Sequence, residues 1–168
     1  AGYDQSRVAL NDVPVTESDI LTWGRQSTPT TFVTFPWETV GRAAISNAVS
    51  HCALDKALDY GQQREQFGKS IMDFQGMSWK LAKIATELQV SYVHTIQTAK
   101  SASRQNQYPD PLHSSMAKLH SANAAEKVVT EALQVHGSNG FQKGHELEYL
   151  YRFVQGRHLE GIPDQIHQ

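Results

Sequence analysis

The chain has 168 residues, a length that fits one domain with a substantial core. Its 15 basic and 17 acidic residues give a formal net charge of −2, so the composition indicates neither a nucleic-acid partner nor a membrane surface. Cys52 is the single cysteine, which excludes an internal disulfide and fits a reducing cytoplasm, and no apolar run approaches the ~20 residues of a membrane span.

Residues 1–36 lack a helical pattern. Val8 and Leu10 alternate with polar neighbours, as in a strand, and the Ser/Thr- and Pro-rich stretch from Ser27 to Pro36 is typical of a connector. We therefore expect an extended segment and connector over residues 1–36, followed by a second region over residues 37–168. A strand here would have no sheet to join and the chain has no initiator Met, so we expect a piece of a longer protein.

From residue 37 onward the hydrophobic pattern is helical. One stripe repeats at alternating spacings of three and four, as in a bundle seam: Phe74, Met77, Leu81, Ile84 and Leu88. Pro111 is placed as a first-turn proline and Gly137 as a helix stop. Four helices are predicted, over about residues 37–64, 74–103, 112–136 and 145–154. The sequence thus predicts an all-α protein, an up-down four-helix bundle with a short extended N-terminal segment.

The stretch between the first two predicted helices carries distinctive chemistry. Arg64 offers five fixed N–H donors suited to a diphosphate. Phe67 provides a flat apolar face, and Gly68 lets the backbone turn closely. Taken alone, this pattern also fits an ordinary helix corner with a surface arginine.

Two motifs in register resemble the acyl-CoA dehydrogenase family. The first is Arg64-x-x-Phe67-Gly68-Lys69-x-Ile71-x-Asp73-Phe74-Gln75, which is similar to the family signature between the first two helices of its C-terminal domain. The second is Gln134-Val-His-Gly137-Ser138-Asn139-Gly140-Phe141, similar to the family's Q-x-x-G-G-N-G-[FY]. The resemblance runs from about residue 7 to residue 165 in family order. It implies a C-terminal helical domain, preceded by the last strand of the middle β-domain.

The resemblance implies an oxidoreductase acting on CH–CH bonds. Members of the family use FAD to oxidise the α and β carbons of an acyl-CoA thioester, in fatty acid metabolism. A carboxylate removes the α-proton while the β-hydrogen leaves as hydride. The resemblance also implies a homo-oligomer, a dimer or tetramer built through the bundle, for which an electron-transfer protein is a possible acceptor. The single cysteine favours a cytoplasmic location. Without the β-domain, we expect the isolated chain to be inactive.

The family's cofactor residues carry over position by position. Arg64 matches the arginine that binds the pyrophosphate of FAD, and Phe67 the aromatic residue beside its adenosine end. Gln134, Gly137 and Ser138 match the glutamine and twin glycines that approach the same diphosphate. Ser138 replaces the second glycine.

Two glutamates are candidates for the base. In the family it lies either in an E-G-T run near the C-terminus or on the first bundle helix, 26 residues before the signature arginine. The second position falls on Glu38. Glu160 stands in a Glu-Gly-Ile run, one residue from the gapless register, and is held in reserve. Glu38 could instead be a first-turn acid that favours the helix dipole, and Glu160 a solvated loop residue.

Other functions stay open. Thr39, Phe153 and Pro163 depart from family residues, which leaves a flavin monooxygenase or oxidase of the same fold, or a non-catalytic assembly subunit of a heteromeric dehydrogenase. The eight histidines show no metal-binding spacing, so no metal site is predicted.

Overall fold

The computed structural model describes residues 6–20, 27–102, 107–160 and 164–167. Most of these residues lie in helices: α1 Ser27–Gln63, α2 Gln75–Lys100, α3 Pro111–His136, α4 Glu146–Arg157 and a short α5 Asp164–His167. A two-stranded hairpin joins α1 to α2 and consists of β1 Glu65–Gln66 and β2 Lys69–Ser70. The prediction of an all-α bundle with four main helices is confirmed.

Successive helices alternate in direction. Lys80 near the start of α2 pairs with Glu131 near the end of α3 at 2.7 Å, so these two helices are antiparallel. Lys56 near the end of α1 pairs with Glu146, the first residue of α4, at 2.6 Å. Helices α1 and α3 run in the same direction, because Tyr60 and His136 stack at their ends and Trp37 near the start of α1 hydrogen-bonds Gln107 just before α3. These two helices share the most extensive packing in the bundle.

Small side chains line the contact between α1 and α3. The buried residues that the two helices contribute include Ala43, Ala53, Ala57, Ala117, Ala124, Ala125 and Ala132. Their short side chains permit two backbones to approach closely. Larger residues of α2, α3 and α4 complete the core: Leu81, Ile84, Leu88, Val128, Val129, Leu147, Leu150 and Val154. The predicted seam of α2 is thus buried at its last three positions, Leu81, Ile84 and Leu88.

The ends of α3 follow local sequence rules. Asp110 caps the helix by accepting a hydrogen bond from the His113 N–H at 2.9 Å, and Pro111 occupies the first turn. Gly137 ends the helix with φ 59°, a conformation that favours glycine. Both sequence-based expectations for this helix are confirmed.

The start of the first helix differs from the prediction. Helix α1 begins at Ser27, so residues 27–36 are helical and are not a connector. Pro36 lies inside the helix and is buried. The physical reason is tertiary packing: Thr39 and Val40 are buried, and the Trp37 indole N–H donates to the Gln107 carbonyl at 2.9 Å. Such contacts outweigh weak helix propensity.

The described N-terminal residues 6–20 contain a 3-10 turn at Glu17–Asp19 and no strand. Val8 and Leu10 are 77% and 78% exposed. Pairing of this segment with a preceding β-domain stays a prediction. None of the described helices combines the length and apolar character required to cross a membrane.

Candidate functional site

The hairpin after α1 presents an aromatic ring to solvent. Its two-residue turn is Phe67-Gly68, and both residues have positive φ, 55° and 81°. Two positive φ angles are typical of the type I′ turn of tight hairpins, but an aromatic residue rarely adopts this conformation. The Phe67 side chain is nevertheless 92% exposed. An apolar ring held in water by a costly backbone conformation indicates a ligand contact.

Arg64 is fixed at its backbone while its side chain is uncommitted. Its N–H donates to the Tyr60 carbonyl at 2.8 Å, and its carbonyl accepts from the Ile71 N–H at 2.9 Å. The guanidinium makes no hydrogen bond or ion pair with the described residues. Gly61 of α1 leaves space for Met72, which lies in the 3-10 turn after the hairpin, because a Cβ at Gly61 would lie 2.8 Å from Met72 Sδ.

The loop that follows α3 is equally tight. The Gly137 N–H donates to the Gln134 carbonyl. Gly140 is buried, and a Cβ at that position would lie 2.7 Å from the Cβ of His136, so only glycine fits. Gln134 and Ser138 are exposed. A Cβ on Gly137 would meet open space, which leaves room for a ligand above the loop.

A ring stack joins the end of α1, just before the hairpin, to the end of α3, just before this loop. The rings of Tyr60 and His136 lie 4.3 Å apart with an interplanar angle of 22°. Asn139 Nδ2 donates to the Tyr60 hydroxyl at 3.2 Å. Burial lowers the pKa of His136, while a hydrogen bond between its Nδ1 and the Ala132 carbonyl acts in the opposite direction. The two sequence motifs therefore lie at the same end of the bundle, which we call the hairpin end.

The two candidate bases meet at the opposite end. Arg42 hydrogen-bonds Glu38 Oε1 through Nη2 and through Nε, the latter at 3.2 Å. Arg42 Nη1 lies 3.2 Å from Glu160 Oε2. Arg157, whose side chain is 4% exposed, ion-pairs with the same Glu160 oxygen. We call this group the ion-pair end.

A buried lysine fixes the segment around Glu160. Lys118 of α3 is 2% exposed and ion-pairs with Asp164 Oδ1. Its Nζ also lies 3.4 Å from the His158 carbonyl oxygen, and His158 Nδ1 lies 2.6 Å from Asp164 Oδ2. The residues on both sides of Glu160 are thus tied to the core of the bundle.

Sequence reasoning missed Arg42, Arg157, Lys118 and the pair of Tyr60 and His136. One signal was present, because Arg42 follows Glu38 by four residues, a spacing at which helical side chains meet. Arg157 precedes Glu160 by three residues, a second local signal, whereas the contacts of Lys118 and of the Tyr60–His136 pair join distant parts of the chain and leave no local pattern.

The hairpin end has the donors that a dinucleotide cofactor requires. Arg64 provides a guanidinium that has no partner among the described residues, Phe67 an exposed ring, and the loop at Gly137 open space over backbone. Within the described parts of the chain, no group of three or more His, Cys, Asp or Glu side chains could hold a metal ion.

Comparison with known proteins decides the family. A profile described as "Acyl-CoA dehydrogenase, C-terminal domain" matches residues 30–167. The chain belongs to the acyl-CoA dehydrogenase family. The part of the family that it represents is the helical C-terminal domain, as the sequence resemblance implied.

Two curated relatives are similar at the sequence level. The chain is 35% identical to a 3-sulfinopropanoyl-CoA desulfinase of Paraburkholderia xenovorans over 127 residues, which is 76% of this chain and 32% of the relative. It is 32% identical to a 3-(aryl)acrylate reductase of Clostridium sporogenes over 154 residues, 92% of this chain and 40% of the relative. The chain therefore spans between a third and two fifths of these relatives.

A solved structure agrees on the fold. Butyryl-CoA dehydrogenase from Megasphaera elsdenii superposes with a TM-score of 0.87 at 24% identity, covering 93% of this chain and 40% of that one. At this identity the likeness concerns the fold alone.

Neither candidate base is in the non-catalytic environment considered for it from the sequence, a first helical turn for Glu38 and a solvated loop for Glu160. Glu38 lies well inside α1, not in its first turn, so a dipole role for a first-turn acid is excluded. Glu160 is bound by two guanidinium groups and is not a freely solvated loop residue. Gly161, which follows Glu160, and Pro163, which departs from the family pattern, lie outside the described residues.

Proposed function

We propose that this chain supplies the helical domain of an FAD-dependent oxidoreductase acting on acyl-CoA thioesters, with α,β-dehydrogenation as its reaction. The observation that carries the proposal is the hairpin end, where an uncommitted guanidinium, an exposed ring and a glycine loop lie together. Family membership supplies the cofactor class. The names of the two relatives, a desulfinase of an acyl-CoA and a reductase of an arylacrylate, support acyl substrates activated at the α and β carbons.

In this proposal the chain's residues have separate tasks. Arg64 would pair with the diphosphate, and Phe67 would cover the adenosine end. Gln134, Gly137 and Ser138 would approach the same diphosphate from the neighbouring loop. Bound FAD would supply the acceptor for the β-hydride. Glu38, with Glu160 as the alternative, would take the α-proton.

The distance between the two ends supports an oligomer. Glu38 and Gln63 are separated by 25 residues of α1, which corresponds to about 38 Å at a rise of about 1.5 Å per residue. A diphosphate held at the hairpin end of one copy lies too far from Glu38 of that copy for its flavin ring to reach. We therefore propose that a second copy completes each site in a homo-oligomer.

Further parts of the proposal rest on the family. The complete protein would include a β-domain before α1, reside in the cytoplasm and pass electrons to an electron-transfer protein. The 168-residue chain alone would show no turnover, because half a pocket cannot hold the reacting atoms at bonding distance.

One observation favours a second candidate. Both glutamates are engaged by Arg42, and a carboxylate committed to an ion pair suits a structural role. A non-catalytic subunit that promotes assembly would have this arrangement. It predicts that the complete protein binds FAD only with a partner chain.

The test uses the complete protein that contains this chain. Purified with its flavin under anaerobic conditions, it should lose oxidised-flavin absorbance when acyl-CoA thioesters of graded chain length are added, but not when free CoA is added. Retention of the oxidised spectrum with every thioester would contradict the proposal. Product formation that requires O₂ and adds an oxygen atom would instead indicate the monooxygenase alternative.

A further inference from the structure

The two glutamates at the ion-pair end are held in different ways. Glu160 shares one oxygen, Oε2, between Arg42 and Arg157. Glu38 gives only Oε1 to Arg42, and no described residue hydrogen-bonds or ion-pairs with its Oε2. The Glu38 side chain is 50% exposed, against 31% for Glu160. Glu38 therefore keeps one oxygen without a partner among the described residues, and Glu160 is engaged by two cations.

We propose that Arg42 is a positioning residue that orients Glu38 as the base, and that Glu160 holds Arg42 in place instead of acting as the base. This assignment rests on the proposed function. It gives Glu160 a role that neither family base position describes, and it adds Arg42 to the site.

The guanidinium geometry supports the assignment. Arg42 uses Nε and Nη2 toward Glu38 and Nη1 toward Glu160, so one rigid planar group spans both carboxylates. Because the fork is planar, fixing its Nη1 edge also fixes the direction of its Nε edge. Glu38 is then restrained through Oε1 while Oε2 stays available for a proton.

The support continues into the core. Glu160 is also bound by Arg157, which is 4% exposed and cannot move without disturbing the end of α4. The chain on either side of Glu160 is tied through His158 and Asp164 to buried Lys118. Arg42 therefore contacts a carboxylate that is anchored on two sides, whereas its other partner, Glu38, has Arg42 as its one ion-pair partner among the described residues.

The experiment uses the complete flavoprotein and measures kcat and KM separately. Arg42→Ala should lower kcat by about 10–100-fold with little change in KM, because the base is misplaced while thioester binding is kept. Added guanidinium ion should restore much of the lost rate, and Arg42→Lys should retain more rate than Arg42→Ala. A merely structural role for Arg42 would give no such rescue.

The role of Glu160 is tested by combining its substitution with that of Arg42. Glu160→Gln should lower kcat less than Glu38→Gln, for which a loss of about 10²–10⁴-fold is expected. The double variant of Arg42→Ala and Glu160→Gln should be no slower than Arg42→Ala alone, because Glu160 acts through Arg42. Lys80→Ala removes a comparable ion pair, with Glu131, away from the site and should leave kcat unchanged.

Three results would overturn the inference. They are full kcat in Arg42→Ala, losses that multiply in the double variant, and a larger loss in Glu160→Gln than in Glu38→Gln. Flavin content and melting temperature of each variant identify any that fail to fold, and Arg42→Lys then carries the test. If the wild-type protein transforms no thioester, the proposed function fails and this assignment with it. If the wild type is active and Arg42→Ala is equally active, only this assignment fails.

Discussion

The hairpin end and the ion-pair end of α1 are built on opposite principles. At the hairpin end, Arg64 is unpaired with the described residues and Phe67 is almost fully exposed, although the backbone beneath them is closely packed. At the ion-pair end, Arg42 and Glu160 are committed to internal partners. The first arrangement suits a surface that waits for a charged, flat ligand. The second suits a site whose groups must be held in one geometry before a substrate arrives.

The largest effect expected concerns the support of the ion-pair end. Lys118→Met should lower the free energy of unfolding by about 3–5 kcal/mol, because it removes one partner of a buried ion pair. Lys127→Met on the same helix is the matched control, since Lys127 is 58% exposed and pairs with Glu87 at 3.3 Å. The control should change stability by less than about 1 kcal/mol. Equal losses in a denaturant titration would show that the Lys118 pair is not specially stabilising.

The next effect concerns cofactor retention at the hairpin end. Arg64→Ala should weaken FAD binding by about 1.5–3 kcal/mol, roughly 10–100-fold, because a charge-assisted hydrogen bond is lost. Arg64→Lys keeps the charge without the planar fork, so its FAD affinity should lie between that of the wild type and that of Arg64→Ala. Stability should stay unchanged, because the side chain has no partner among the described residues. If Arg64→Ala lowered the unfolding free energy of the FAD-free protein by as much as it weakened FAD binding, Arg64 would be a residue that stabilises the fold and not one that binds the cofactor.

Phe67 should separate stability from binding. In Phe67→Asn the turn becomes Asn-Gly, the sequence best suited to a type I′ turn, so the unfolding free energy should stay level or rise by up to about 1 kcal/mol. FAD affinity should fall by about 1–3 kcal/mol, because a base–aromatic stack is lost. Phe67→Tyr keeps the ring and serves as the control. If both variants retain FAD equally, the ring has no cofactor role.

The smallest effect concerns the pH dependence of stability that arises from His136, which stacks on Tyr60. Burial lowers the pKa of His136, so the unfolded chain binds its proton more readily than the folded one. Stability should therefore fall as pH drops below about 6.5 toward the lowered folded value, with a slope of at most about 1.4 kcal/mol per pH unit from this site. The groups near its ring with a resolved influence are His145 and Lys56, and both lower the pKa further.

His136→Leu should flatten this dependence in melting curves recorded from pH 8 to pH 5, and the variant at pH 8 shows the cost of the substitution itself. Burial also lowers the pKa of His94 and His167, so part of the acid sensitivity should persist. If stability changed with pH as steeply in His136→Leu as in the wild type, His136 would not be a source of the acid sensitivity.

Local rules were enough to predict much of this molecule. The seam of Leu81, Ile84 and Leu88 and the stop at Gly137 are properties of short stretches, and the structure has both. The start of α1 was not predictable in this way. Residues 27–36 have connector composition, and their helix depends on contacts made by later residues such as Trp37.

The candidate site likewise has a part that local sequence predicts and a part that depends on long-range packing. The hairpin motif is contiguous, so its chemistry was visible in the sequence. Arg42 of α1 meets Glu160 in the segment after α4, and the burial of Lys118 contradicts the usual place of a lysine at the surface. Neither feature has a local signature, because each depends on how distant helices pack.

The most direct measurement compares Glu38→Gln with Arg64→Ala in the complete protein. We expect Glu38→Gln to be purified with its flavin bound, and we expect acyl-CoA to leave this flavin oxidised under anaerobic conditions. Arg64→Ala should instead lose flavin during purification and, when FAD is supplied in excess, should be reduced by the thioester. Complete anaerobic reduction of the Glu38→Gln flavin by acyl-CoA would contradict the division of labour between the two ends.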